Sequence, residues 1–243
     1  MKAPFKVAVT VSAMLVLAFA FLSSGKSVIA ASGGQITGTI KLDGTAPHQK
    51  GIDMSKEPSC AAIHKDKPIT TENVVVGPNN GLADVVVYIS EGLTGNEAAS
   101  SATPTWDQKG CQYIPHVMAL DAGQHFKVTN SDQTSHNIHP QPTRNSEWNK
   151  SQPPGAPPFD ITWANVEIAI PVKCNIHPWM HGYMVVVKGP TGASDLNGSY
   201  KLENVSPGSY TLTAWQETYG TQTAKVTVAA GKAATADFTF KAK

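Results

Sequence analysis

Cys174-Asn175-Ile176-His177-Pro178-Trp179-Met180 places a thiol, an imidazole and a thioether within one short stretch, in the order C-x2-H-x2-M. These are the soft and borderline donors that hold copper through a one-electron cycle. A run of β-forming residues enters the motif (Val166 to Val172) and another leaves it (Tyr183 to Val187), so the motif reads as a tight loop between two strands. A further donor has to come from elsewhere in the chain, and Ser135-His136-Asn137-Ile138-His139 offers one. Taken singly, each residue has a plainer reading. A buried cysteine is commonly a small apolar residue, and a lone methionine or histidine is more often packing or surface. Taken together on a β-rich chain, they point to a single copper ion and to electron carriage.

The 243-residue chain has room for one large or two small domains. Lys2 and Lys6 precede an apolar run from Val7 to Leu22, and small residues follow around Val28-Ile29-Ala30. This order is that of a secretory signal cleaved after Ala30; an uncleaved membrane anchor is the competing reading. Removing residues 1–30 takes away Lys2, Lys6 and Lys26 and no acid, so the formal charge falls from +1 to −2. Such a chain has no electrostatic footprint for nucleic acid, and no membrane span is expected after cleavage. The expected location is periplasmic or extracellular, where disulfides persist. If Cys174 is a metal ligand, Cys60 and Cys111 remain to pair with each other. The alternative is a second metal site made by Cys60, His64, Cys111 and His116, although structural sites usually use tighter spacing.

No window carries an amphipathic helical repeat. Short β-branched runs bounded by Gly, Pro, Asn and Asp recur instead and predict an all-β chain. Strands are expected at 35–42, 73–76, 83–90, 116–119, 125–130, 137–139, 166–172, 183–188, 199–202, 209–216, 222–228 and 234–240. The small, polar stretch 91–107 reads as a linker or long loop, the proline-rich stretch 141–160 as an ordered but irregular loop or a flexible flap, and Gly189-Pro190-Thr191-Gly192 as a module boundary.

Beyond that boundary, Asp195-x-Asn197-Gly198-x-Tyr200-x-Leu202 and Pro207-Gly208-x-Tyr210-x-Leu212 are similar to the carboxypeptidase regulatory-like domain, a small transthyretin-like β-sandwich. The similarity covers about residues 192–240. That family's module begins with strands of the type Ile36–Ile40 and Ala83–Tyr88, which here lie far upstream. Either the intervening segment is inserted into the sandwich, or the upstream strands belong to the metal-binding domain.

The segment from Tyr113 to Lys188 resembles the cupredoxins, amicyanin among them, through Tyr113-Ile114-Pro115, the strand Gln124–Asn130, Ser135-His136-Asn137-Ile138-His139 and Cys174-x2-His177-Pro178-Trp179-Met180. The resemblance implies a Greek-key β-sandwich with one mononuclear type 1 copper. Its imidazole ligands would be His136 and His177, its thiolate Cys174, and its weak axial ligand Met180. His181 is the alternative axial ligand, and Asn137 would hydrogen-bond the thiolate through its backbone amide. His139 is expected as a neighbour or surface residue, since strand alternation turns it away from His136. Ser135 stands where the family usually has proline, and Lys173 where an aromatic or histidine is more usual.

The expected organisation is therefore a signal at 1–30, N-terminal strands at 31–90 that complete the C-terminal sandwich in the inserted arrangement, a cupredoxin-like domain at 91–190 and the regulatory-like sandwich at 191–243. The expected function is single-electron shuttling between redox partners such as a cytochrome or a periplasmic oxidoreductase. Electrons would pass through the edge of His177, with Pro178 and Trp179 as a docking patch or, for Trp179, as core packing. A copper store or chaperone of the cell envelope is the alternative, as is a structural or carbohydrate-associated envelope protein. An enzyme is not expected: no nucleophile–base pair or nucleotide loop stands out, and the acids are scattered.

Overall fold

β-Branched and aromatic residues alternate with polar ones through most of the chain, and in the computed structural model the described residues form seventeen strands and one short α-helix. Met1, residues 33–95 and residues 100–243 are described; apart from Met1, the signal-like segment lies outside the described residues. The all-β class expected from the sequence is what the structure shows, built as two β-sandwiches within one compact unit, Ala31–Lys243.

The first sandwich uses strands from both ends of that unit. β1 (Gly34–Asp43) pairs antiparallel with β13 (Ser199–Val205), and parallel with β16 (Ala233–Thr235) and β17 (Phe238–Lys241). The facing sheet runs β12 (Thr191–Ala193), β2 (Val86–Glu91), β14 (Gly208–Gln216), β15 (Gly220–Val228). Ile36, Ile40, Leu202, Leu212, Phe238 and Phe240 fill the space between them. The Asp-x-Asn-Gly motif has a direct physical role. The Asp195 carboxylate accepts the N–H groups of Asn197 and Ser199. At Gly198 (φ +73°) a Cβ would meet the Ile40 carbonyl oxygen at 2.0 Å, so only glycine makes this turn.

The second sandwich lies between β2 and β12 in the chain. One sheet has the order β5 (Val117–Asp121), β11 (His181–Val187), β10 (Glu167–Lys173), β7 (His136–Pro140), β8 (Lys150–Gln152). The other has the order β4 (Gln112–Ile114), β3 (Thr105–Lys109), β6 (His125–Asn130), β9 (Phe159–Thr162). Trp106, Tyr113, Phe126, Ile138, Ile170 and Met184 are buried between them. A separate apolar layer, Val86, Val117, Val185, Val187 and Trp215, joins the two sandwiches, with Tyr183 edge-on to Trp215.

Several local expectations change. Residues 73–76 form no strand and contribute only the bridge Val76–Leu82. The stretch read as a linker contains the start of β3, because Trp106 alternates into the core. The proline-rich stretch 141–160 carries β8 and the start of β9, with its prolines at strand ends and turns, where no ladder donor is lost. The Gly189–Gly192 boundary already belongs partly to β12, and 234–240 is split into β16 and β17.

The connection from β1 to β2, residues 44–85, does not stay on its own sandwich. It crosses to the second one as a strap containing α1 (Pro58–Ile63), held by the bridge Gly51–Thr70. Ile52, Met54, Cys60, Ala61 and Ile69 of the strap pack with Cys111 and Trp179. The Cys60–Cys111 disulfide locks this contact.

Candidate metal centre

His136 opens β7, Cys174 follows the last residue of β10, and Met180 precedes β11. The loop between the last two is closed by Cys174 N–H donating to the Met180 carbonyl (2.9 Å) and Met180 N–H donating to the His177 carbonyl (3.0 Å). A seven-residue loop tied in this way turns the Cys174 and His177 side chains toward each other. His136, Cys174 and His177 are all buried, and one ligating atom from each lies within 4.8 Å of the others. His136 Nδ1 is 2.9 Å from His177 Nδ1, and Cys174 Sγ is 3.7 Å from His177 Nδ1.

These separations fit one cation. Imidazole nitrogens about 2.0 Å and a thiolate about 2.3 Å from a single ion lie about 3 to 3.5 Å from one another. Met180 is 1 % exposed and packs in the same core cluster as Cys174. His181 does not join the Cys174 group: its ring lies edge-on to His116, and its ligating atom groups with His116 and Glu217.

Asp132 orients the first imidazole. Its carboxylate accepts His136 Nε2–H (2.8 Å) and the backbone N–H groups of Gly110 and Cys111 (2.7 Å each). His136 Nδ1 is thereby aimed at the site, as a ligand's partner on its other nitrogen normally does. Burial pushes the His136 imidazole down, but Asp132 and the Cys174 sulfur outweigh it and hold it above its ordinary value. His177 is held below its ordinary value by burial and by the neighbouring His136 charge. The Cys174 thiol is raised by burial, yet His136 and the backbone amides of Asn137, His177 and Ile176 bring it net below the usual range. The shift is toward the thiolate that a soft cation would need. The Asn137 side chain adds a second tie: its Oδ1 accepts Asn175 N–H (2.6 Å) and lies 3.3 Å from Sγ.

His177 is 0 % exposed. This corrects the expectation that its edge reaches an open surface patch. Its Nε2 faces Cys60 Sγ at 3.8 Å and Glu57 Oε2 at 3.9 Å, so the strap covers it. Trp179 is half-buried against the strap and donates its indole N–H to the Cys111 carbonyl (3.1 Å), while Pro178 is exposed. His139 faces outward to Glu147 (2.6 Å) and Asn175 (3.2 Å). Because Cys60 and Cys111 are bonded to each other, a metal site built from them with His64 and His116 is ruled out; His64 instead bonds the Gly110 carbonyl (2.7 Å). Asp132 carried no expectation from the sequence, although an acid four residues before a ligating histidine was a readable sign.

Residues 182–241 match the carboxypeptidase regulatory-like domain family. The match starts inside β11, in the second sandwich, and ends in β17; it omits β1 and β2, which lie upstream. The matched residues thus cover most of the first sandwich and one strand of the second. Among solved structures, a copper-containing nitrite reductase from Thermus scotoductus is similar over 40 % of this chain at 18 % identity (TM-score 0.33). The chain spans only 25 % of that protein's length. A purple cupredoxin from Nitrosopumilus maritimus is 18 % identical over 35 % of this chain and 99 % of its own (TM-score 0.30). Amicyanin from Paracoccus versutus is 14 % identical over 41 % of this chain and 96 % of its own (TM-score 0.31). No protein of curated function matches the chain by sequence. Among the described residues, no helix is long and apolar enough to cross a membrane.

Proposed function

We propose that this is an exported type 1 copper protein that shuttles single electrons between redox partners and is not an enzyme. The observation that carries this reading is the buried convergence of His136 Nδ1, His177 Nδ1 and Cys174 Sγ beside Met180. One copper ion there would be held by His136, Cys174 and His177 with Met180 beside them, and would supply a one-electron couple. The protein's contribution is rigidity. Asp132 holds the His136 ring, the closed loop holds Cys174 and His177, and amide hydrogen bonds to the sulfur draw density off it. Each lowers the rearrangement between oxidation states. Two imidazoles, a thiolate and a thioether leave no open position for a substrate. The disulfide suits an oxidising compartment, and the redox partner would be a cytochrome or an oxidoreductase of the same compartment.

The buried His177 favours a second reading, a copper store or chaperone of the cell envelope, in which the strap retains the ion. Loading the exported protein with Cu(II) and recording visible and electron-resonance spectra separates the two. The carrier requires an intense thiolate-to-copper band that disappears in Cys174→Ser, together with rapid reversible reduction. Tight copper binding without that band supports the store, and absence of copper binding overturns both.

A further inference from the structure

Away from the Cys174 site, the chain gathers a second set of ligating side chains where three of its parts meet. His116 lies between β4 and β5, His181 opens β11, Glu217 sits in the β14–β15 turn of the regulatory-like sandwich, and Glu72 belongs to the strap. One ligating atom each from His116, His181 and Glu217 lies within 4.8 Å of the other two. Glu217 Oε1 is 2.9 Å from His116 Nε2, and Glu72 Oε2 is 3.8 Å from His116 Nδ1.

An ion pair between His116 and Glu217 does not account for this arrangement. The side chains of the two are only 3 % and 4 % exposed, yet His116 Nδ1 and Glu217 Oε2 have no hydrogen-bond partner among the described residues. Each buried polar atom left unpaired costs about 1–3 kcal/mol. The third side chain is prepared for ligation. His181 Nδ1–H donates to the Trp179 carbonyl at 2.9 Å, which leaves the lone pair on Nε2, the usual way a protein fixes the tautomer of a ligating histidine. Acidic groups crowd the place further: burial, with Glu72 and Glu217 nearby, pushes Asp84 up to about 6 despite the opposing influence of His116.

We propose that His116, His181 and Glu217, with Glu72 at their edge, bind one divalent cation at the junction of the two sandwiches and the strap. Two imidazoles with carboxylates and no sulfur select a borderline divalent ion of the zinc class over Cu(I) or Ca2+. The ion would give the orphaned Glu217 oxygen a partner and pin the strap and the regulatory-like sandwich to the second sandwich. Met180 and His181 are adjacent in sequence but face different sites, so the two sites share one stretch of backbone and no ligand.

Zinc titration of the copper-loaded full chain, followed by calorimetry and metal analysis, tests this. One zinc per chain is expected in addition to copper, and the same zinc equivalent in Cys174→Ser, which makes the result independent of the copper reading. Glu217→Gln and His181→Gln should each weaken zinc binding at least tenfold, the latter through a side chain exposed enough to replace without unfolding. Cobalt in place of zinc should give ligand-field bands without a thiolate charge-transfer band. No second equivalent, zinc that only displaces copper, or undiminished zinc binding in folded His181→Gln would overturn the proposal.

Discussion

The two sandwiches share a secondary-structure class but are filled differently. Between the sheets of the regulatory-like sandwich lies an almost wholly apolar cluster, and Ser194, Thr213 and Gln216 are the buried polar residues of its strands and turns among the described residues. The second sandwich also buries His136, His177, Asp132, Asn137, Gln108 and Gln152. Apolar burial is non-directional and stabilises without aiming anything. Buried polar groups must each find a partner, and the hydrogen bonds that satisfy them fix the direction of the candidate ligands. One half therefore serves as scaffold, and the other uses its interior for a site.

The largest expected effect probes whether the halves are energetically separate. Leu212→Ala, deep in the scaffold core, should cost about 2–5 kcal/mol. Because Val86, Val185 and Trp215 join the halves in one layer, the copper band and the far-ultraviolet signal should melt together at a lower temperature. Two separated transitions would break the coupling.

The strap is the next test. Replacing Cys60 and Cys111 together by serine opens a link spanning 51 residues and should cost about 2–4 kcal/mol by denaturant titration. It also loosens the cover on His177. Stopped-flow reduction of the copper-loaded variant should be faster than that of the parent, and an unchanged rate would mean the strap does not limit access.

Asp132→Asn tests orientation within the polar interior. It weakens three hydrogen bonds at once, with an expected stability loss of about 1–3 kcal/mol. Copper affinity measured against a chelator should fall about 10–100-fold.

The smallest effect concerns Glu167, which anchors the start of the proline-rich stretch. Its carboxylate accepts the N–H groups of Thr143, Arg144 and Asn145 and the Asn145 side-chain amide. Burial raises its pKa, but these donors hold it net below 4.5. The folded chain thus binds this proton less readily than the unfolded chain. The stabilisation is complete above the unfolded value and is lost as pH falls through the lower folded one. Glu167→Gln should lower stability at neutral pH by about 1 kcal/mol and flatten its loss below pH about 4.5 in urea titrations.

Most strands were legible because alternation and turn residues are local signals: 125–130 coincides with β6, and 35–42 falls within β1. The misses have local causes too. β3 begins after a small, polar run that hides Trp106, and β8 and β9 are short strands between prolines. In the candidate site, Cys174, His177 and Met180 announce themselves by spacing, and His136 by its position before a strand. Asp132 was readable only as an acid one short segment ahead of His136.

The sequence by itself determined the candidate donor set, the β class and the turn chemistry of Asp195–Gly198, since each follows from residues a few positions apart. Tertiary structure alone decided that the β1–β2 connection covers His177, and that Met180 packs with Cys174 while His181 groups with His116 and Glu217. It alone brought His116 to Glu217 across 101 residues. Contacts of that span leave no periodicity in the chain, because they arise only when separate sheets pack against one another. The physical reason is that pleat and spacing direct a side chain, while packing chooses what it meets.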